Sequence, residues 1–276
     1  MSLFKIRYLL FLTVALATFL PATAQERPVT HTTLLGIGVV HQLDTYLSPL
    51  NYSGPQLQFV HETLRTTHLA DSAITFQTLW QGNASMTKNT AGNVRNLGGD
   101  VSFDAAWHYR LLEKWNGFQF LLGPQIGANA GVLYNTRNGN NPAQALVGMH
   151  LSASATASYK FRLWRQPLIA RYQLDVPLLG LAFSPNYGQS YYEIFSLGNT
   201  DHNVCFTHPF NAFSSRHLLT VDIPLWGFTL RTGYLCDIRQ THLNNLKHHS
   251  YTHAFMLGWV RYLSIHHPHR KTPEGF

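Results

Sequence analysis

Between Val101 and Phe161 apolar and polar residues alternate with period two through three consecutive segments. In the third, Ala145, Val147, Met149, Leu151, Ala153, Ala155, Ala157, Tyr159 and Phe161 share one face. Gln144, His150, Ser152, Ser154, Thr156, Ser158 and Lys160 share the other. A helix would scatter these residues round its circumference, so the spacing predicts strands. Phe118 to Tyr134 and Val101 to Tyr109 repeat the pattern. Soluble strands average about five or six residues, whereas a strand tilted through a bilayer needs about nine to eleven. All three segments are long enough to cross. Trp107 and Tyr109, Phe118 and Phe120, and Tyr159 and Phe161 stand at segment ends that an antiparallel meander gathers at one rim. A girdle of aromatics at a membrane interface has that placement.

The pattern along the rest of the chain predicts an all-β transmembrane antiparallel barrel of ten strands. Their cores are expected at 32–40, 56–64, 73–81, 101–111, 118–134, 145–161, 168–178, 216–223, 228–238 and 252–263. Twelve strands is the alternative, with 191–197 and 204–207 pairing as an extra hairpin. Long connections (43–54, 82–96, 135–141, 183–215, 240–251) alternate with short ones near 66–71, 113–117, 162–167 and 224–227. Outer-membrane barrels alternate long external loops with short periplasmic turns. An even strand number then puts both termini, and the aromatic rim, on the periplasmic side.

Composition agrees. Charged residues are 12% of the 276, about half the usual share of roughly 25%, and small neutral polar residues fill the gap. Lys5 and Arg7, the apolar run Tyr8 to Leu20 and the small residues Ala22-Thr23-Ala24 read as a signal peptide over 1–24, cleaved between Ala24 and Gln25. The barrel then spans 25–265, and 266–276, with Pro268 and Pro273, is expected to be a loose tail. The remainder contains no apolar run of about eighteen residues, so the expected location is the outer membrane of a Gram-negative bacterium. The formal charge of +7 falls to +5 without the two cations of segment 1–24. Scattered basic residues on an exported chain argue against nucleic acid and suit contact with membrane lipid and lipopolysaccharide phosphates. A monomer is expected, and the ligand stays open.

Strand parity puts Asp104, Arg110, Arg171, Asp175, Asp222, Arg231 and Asp237 in the lumen, where carboxylates and guanidiniums satisfy each other as a polar network. Gly123, Gly127 and Gly131 beside Ser152, Ser154 and Ser158 leave room for a narrow solute path along one wall. His248-His249-x-x-x-His253 and His266-His267-x-His269 are not accompanied by Cys or carboxylates at structural-site spacing, so neither a metal nor a cofactor is assigned. An outer-leaflet acyl hydrolase is the enzymatic alternative. His248 and Ser250 near the external rim, with Asp237 or Glu193 to orient the imidazole, are its candidates. His150 with Ser152 faces inward, away from lipid, and Ser214 and Ser215 beside His217 are a third pair. Cys205 and Cys236 lie near the external side, either as a disulfide or as two thiols.

The segment Leu43-Asp44-Thr45-Tyr46-Leu47-Ser48-Pro49, followed by Tyr52-Ser53-Gly54, and Tyr251-Thr252-His253-Ala254-Phe255 at the last strand resemble an uncharacterised bacterial outer-membrane barrel family, a domain of unknown function. The resemblance covers most of the chain and implies a fold and a location without an activity.

Overall fold

The computed structural model describes residues 29–115, 117–225 and 227–263. The strands in chain order are β1 Val29–Asp44, β2 Ser48–Thr66, β3 Ile74–Asn89, β4 Arg95–Trp115, β5 Phe118–Asn135 and β6 Ala143–Leu163. They continue as β7 Gln166–Phe183, β8 Val204–Thr207, β9 Ser214–Leu225, β10 Phe228–Leu243 and β11 Leu246–Leu263. Short β8 is appended to β7 alone, while the other ten close an antiparallel ring in the order β1 to β7, β9, β10, β11. Closure runs from Val29↔Leu263 to Asp44↔His248, so every strand of the ring has two neighbours. In lipid that arrangement satisfies backbone groups that an open sheet would leave without partners. Segments 1–24 and 266–276, with Ala24, Gln25 and His266-His267-x-His269, lie outside the described residues.

Apart from Ala73, every expected strand core lies inside an observed strand. The twelve-strand alternative fails because Tyr191–Phe195 is a short helix, α1. Ser190 and Glu193 close its N-terminus as a capping box, which sets the chain turning where a strand would have to begin. Three expected long connections are also shorter than read. β1 and β2 leave only 45–47 between them, β3 and β4 leave 90–94, and β10 and β11 leave Asn244 and Asn245. Beyond the apolar belt both faces of a strand meet water, so alternation disappears from the sequence although the ladder continues. Asn244 and Asn245 take φ of 50° and 61°, the left-handed conformation a two-residue hairpin needs and Asn tolerates. Residues 184–213 remain as a long connection.

Outward positions carry Leu35, Ile37 and Val39 on β1, Val147, Met149 and Leu151 on β6, and Phe255, Leu257 and Trp259 on β11, all exposed. The ladder sets Trp107 against Phe76, Tyr109 against Ile74 and Tyr159 against Phe118, at the rim that Val29 and Leu263 share. The interior departs from a uniformly polar lumen. Leu34, Val60, Leu79, Leu218, Leu235, Ala254 and Met256 point inward and pack into one buried cluster. They come from β9, β10, β11, β1, β2 and β3, which are contiguous in the ring, and form an apolar band among the polar inward side chains of the same strands. β11 carries large apolar groups on both faces for this reason: Ala254 and Met256 fill the cluster while Phe255 and Leu257 face out.

Candidate functional site

Charged side chains cross the lumen in tiers. Nearest the short-turn rim, Arg171 meets both oxygens of Glu62, Nη1 to Oε2 at 2.6 Å and Nη2 to Oε1 at 2.6 Å. Arg231 grips Asp222 through Nε at 2.5 Å and Nη2 at 2.7 Å, and its Nη1 donates to Glu62 and Thr32 at 3.1 Å each. Paired donors of this kind hold a carboxylate in one orientation. Gln77 and Gln173 link this tier to the next: Gln77 donates to Glu62 and to Gln173, and Gln173 donates to Asp175. In the middle tier Arg216 reaches Asp175 through Nε and Nη2, at 3.0 and 2.8 Å, and Asp104 through Nη1 at 2.8 Å. His150 Nε2 lies 3.0 Å from the other Asp104 oxygen. The outer tier sets Arg239 between Asp237, at 2.8 Å, and Asp100, with Gln81 donating to Asp237 and Asn83 to Asp100.

Six of the seven expected lumen residues join this network, while Arg110 donates to the Ser72 carbonyl at the short-turn rim. Sequence reading missed Glu62, Asp100, Arg216 and Arg239. Glu62 shares parity with Gln56 and Gln58 inside an expected strand, which was the available signal. Asp100 and Arg239 fall just outside the expected cores. Among the described residues, the ion pairs above together with Asp44 at the loop rim involve seven carboxylates (Asp44, Glu62, Asp100, Asp104, Asp175, Asp222, Asp237) and four guanidiniums (Arg171, Arg216, Arg231, Arg239).

Above the middle tier a cavity of about 210 Å³ opens towards the long-loop rim. Asp104, Asp175 and Arg216 line it from below, His150, Ser152, Gln125 and Asn129 from the β5–β6 wall, and Leu146, Phe183, Leu243 and Leu246 add apolar surface. Gln125 and Ser152, 2% and 3% exposed, face each other across β5 and β6. Gln125 Oε1 and Ser152 Oγ have no hydrogen-bond partner among the described residues, an unusual state for buried polar atoms. Arg239, with Asp237, separates this cavity from a smaller one of about 40 Å³ lined by Asp100, His248 and Ser250.

The connection 184–213 is anchored over the mouth. Tyr46 Oη donates to the Gln189 carbonyl, Tyr191 Oη donates to Gln144 Oε1 and accepts from the Ala145 amide, and Asn244 donates to the carbonyls of Ser184 and His202. Burial pushes the Tyr191 hydroxyl above its ordinary value. Glu193 is held low because it accepts from the Ser190 amide and hydroxyl.

The hydrolase candidates are not assembled as expected. His248 and Ser250 share the inward face of β11 with Leu246 and Thr252, not an external lipid-facing surface. Asp44, at 3.0 Å, orients His248, while Asp237 is engaged with Arg239 and Glu193 caps α1. His249 and His253 alternate with His248 on the opposite face, so the three cannot share a metal ion. His217 Nε2 does lie 3.1 Å from Ser215 Oγ, but its Nδ1 bonds the Tyr172 hydroxyl and not a carboxylate. A further chain, His108 Nε2 to Ser154 Oγ at 2.8 Å and Ser154 to Asp175, escaped sequence reading. His108 and Ser154 are 1% and 0% exposed and border neither cavity, so no substrate reaches them. Cys205 and Cys236 are free thiols. β7 and β9 intervene between their strands, and Cys236 faces outward while Cys205 shares the face of Thr207 beneath exposed Val204 and Phe206.

Fold and interior together define a closed β-barrel of the outer-membrane type, its lumen crossed by ion pairs beside a cavity at the long-loop rim. The chain belongs to the family described as Protein of unknown function (DUF3316), whose model matches residues 4–270. No curated protein matches it. Among solved structures it is similar to the outer membrane protease OmpT from Escherichia coli, with 8% identity and a TM-score of 0.48 over 88% of this chain and 99% of that one. The transport unit of the autotransporter AIDA-I from Escherichia coli gives 10%, 0.36, 91% and 97% for the same quantities. Ail of Yersinia pestis, in complex with the heparin analogue sucrose octasulfate, gives 8%, 0.32, 84% and 99%.

Proposed function

We propose that this protein is an integral outer-membrane barrel, non-conducting and without hydrolytic activity, that binds a ligand in its loop-rim cavity and through the loops around it. The observation that carries the reading is the pair of contacts Glu62 to Arg171 and Asp100 to Arg239, each joining strands five places apart in the ring of ten. They brace the lumen across its full width below and beside the cavity, and Gln77, Gln173 and the apolar cluster fill the space between. Ten strands leave little interior to spare once side chains fill it. The exposed apolar belt and the segment at 1–24, read as a cleaved signal peptide, support residence in the outer membrane with both termini on the periplasmic side. Outer-leaflet lipid and lipopolysaccharide are then the neighbours of the long-loop rim. The test is planar-bilayer recording of the purified barrel together with protease digestion of intact cells. Silent bilayers and cleavage within 184–213 are expected. Steady single-channel conductance would overturn the non-conducting reading, and protection of 184–213 the orientation.

A further inference from the structure

One seam of the wall is not laced. β9 pairs with β7 from Ile169↔Asp222 to Asp175↔Arg216, and that edge of β7 pairs again only with β8, from Gly180↔Thr207 to Phe183↔Val204. Val176 to Leu179 therefore have no ladder partner on this side. Opposite them residues 208–215 take a longer course, with the carbonyls of Asn211 and Phe213 accepting from His242 and Gln240 of β10. An unpaired edge within a barrel wall is costly in hydrocarbon. Here Pro177 removes one donor, and a register shift against β6 turns both Leu178 and Leu179 outward.

Directly inside the seam, Pro177, Ser152 and Gln125 form a row across β7, β6 and β5. This is where the two unpartnered atoms, Ser152 Oγ and Gln125 Oε1, border the cavity. The guanidiniums nearby are already committed, Arg216 to Asp104 and Asp175, Arg239 to Asp100 and Asp237. Among the residues that line the cavity, four carboxylates (Asp44, Asp104, Asp175 and Asp237) stand against Arg216, Arg239 and Lys247, whose side chain is exposed, so acceptors remain in excess. A group that brings donors and positive charge, and no acceptor, matches it: an ammonium. Outside the seam the surface is apolar, with Leu178, Leu181, Phe206, Phe210 and Phe213 exposed.

We propose that the cavity holds the amine head of a single-chain amphiphile that enters sideways from the membrane between β7 and β9, its hydrocarbon tail remaining in the lipid. The proposal rests on the membrane reading above and names the ligand class for the same cavity. The probe is dodecylamine, added to the full-length processed protein in a maltoside micelle and followed by native mass spectrometry. One amine per barrel is expected to be retained at least tenfold better than dodecanoate. Ser152→Leu, which fills the cavity beside Pro177, should lower retention at least tenfold, and Gln125→Glu should raise it while leaving the unboiled-gel mobility of a folded barrel intact. A nitroxide midway along the tail of the bound amine should be relaxed by oxygen dissolved in a bilayer and not by an aqueous nickel chelate. Equal retention of amine and carboxylate, or undiminished binding by folded Ser152→Leu, overturns the head assignment. Preferential relaxation by the chelate overturns the lateral route. Both outcomes are independent of bilayer conductance, so failure here is distinct from failure of the non-conducting reading.

Discussion

Glu62 of β2 and Arg171 of β7 touch across the full width of the barrel through two contacts of 2.6 Å. Strands five places apart in the ring share no ladder, so this contact, with Asp100 and Arg239 above it, fixes the opposite walls at a set separation. A buried pair of this kind costs desolvation of both charges, and removing one partner leaves the other uncompensated. Glu62→Gln is expected to destabilise the barrel by about 3–5 kcal/mol, read from the urea midpoint in micelles. Replacing Glu62 and Arg171 together by methionine should recover a substantial part of that loss, since it removes both buried charges. A double variant no better than Glu62→Gln would mean that Arg231 and Asp222, not the cross-lumen pair, dominate this tier.

Ser250 gives a second expectation. It faces inward beside a cavity of about 40 Å³, and the nearby His248 is tied to Asp44. Any acyl-ester turnover measured for the purified barrel should therefore be the same for Ser250→Ala, within about twofold, a difference of under about 0.5 kcal/mol in barrier. A drop of a hundredfold would restore the hydrolase reading.

Gly123 tests how closely β4 and β5 approach. A Cβ there would sit 1.7 Å from the Trp107 carbonyl oxygen and 3.0 Å from the His108 Cα, both backbone atoms that cannot swing aside. Overpacking in a filled interior costs about 1–3 kcal/mol. Gly123→Ala is expected to lower the midpoint of unfolding by that order and to reduce the yield of heat-modifiable barrel, whereas alanine at Gly139, which has open space around it, should change neither.

How much of this was legible in the sequence follows from what alternation can encode. The sorting of Ala145 to Phe161 onto two faces holds residue by residue along β6, and the same parity put Asp104, Arg171, Asp175, Asp222, Arg231 and Asp237 inside. Parity says which face, and nothing about which partner. That Arg239 meets Asp100 depends on ring position and strand stagger, which no local pattern records. The inward cluster of Leu34, Val60, Leu235 and Met256 was hidden for a related reason: an apolar residue on the lumen side breaks the alternation and reads as weak register. The hydrolase candidates failed at the same step, because proximity of His248 and Ser250 in sequence did not specify that both face the lumen. The seam was partly visible, since Pro177 inside a strand run implies a bulge or an early end.

The capping box of α1 provides the pH test. The Glu193 carboxylate accepts from the Ser190 amide at 2.6 Å and from its hydroxyl at 2.9 Å, and these bonds, the amide first, hold its pKa below the ordinary value of 4.5. A carboxyl whose folded pKa is depressed stabilises the folded loop fully above its unfolded value and loses that contribution as pH falls through the folded one. The order of 184–213 should accordingly be constant from neutral pH down to about 4.5 and decline below it. Pepsin digestion of the micellar barrel at a series of acid pH values, normalised to an unstructured reference peptide, reads this directly. Cleavage within 184–213 should accelerate below that point in the wild type. Glu193→Gln should start from a higher cleavage rate and show little further rise, because its side chain has no proton to gain. Wild type and variant with the same pH profile would mean that the loop is held by Tyr46, Tyr191 and Asn244 alone.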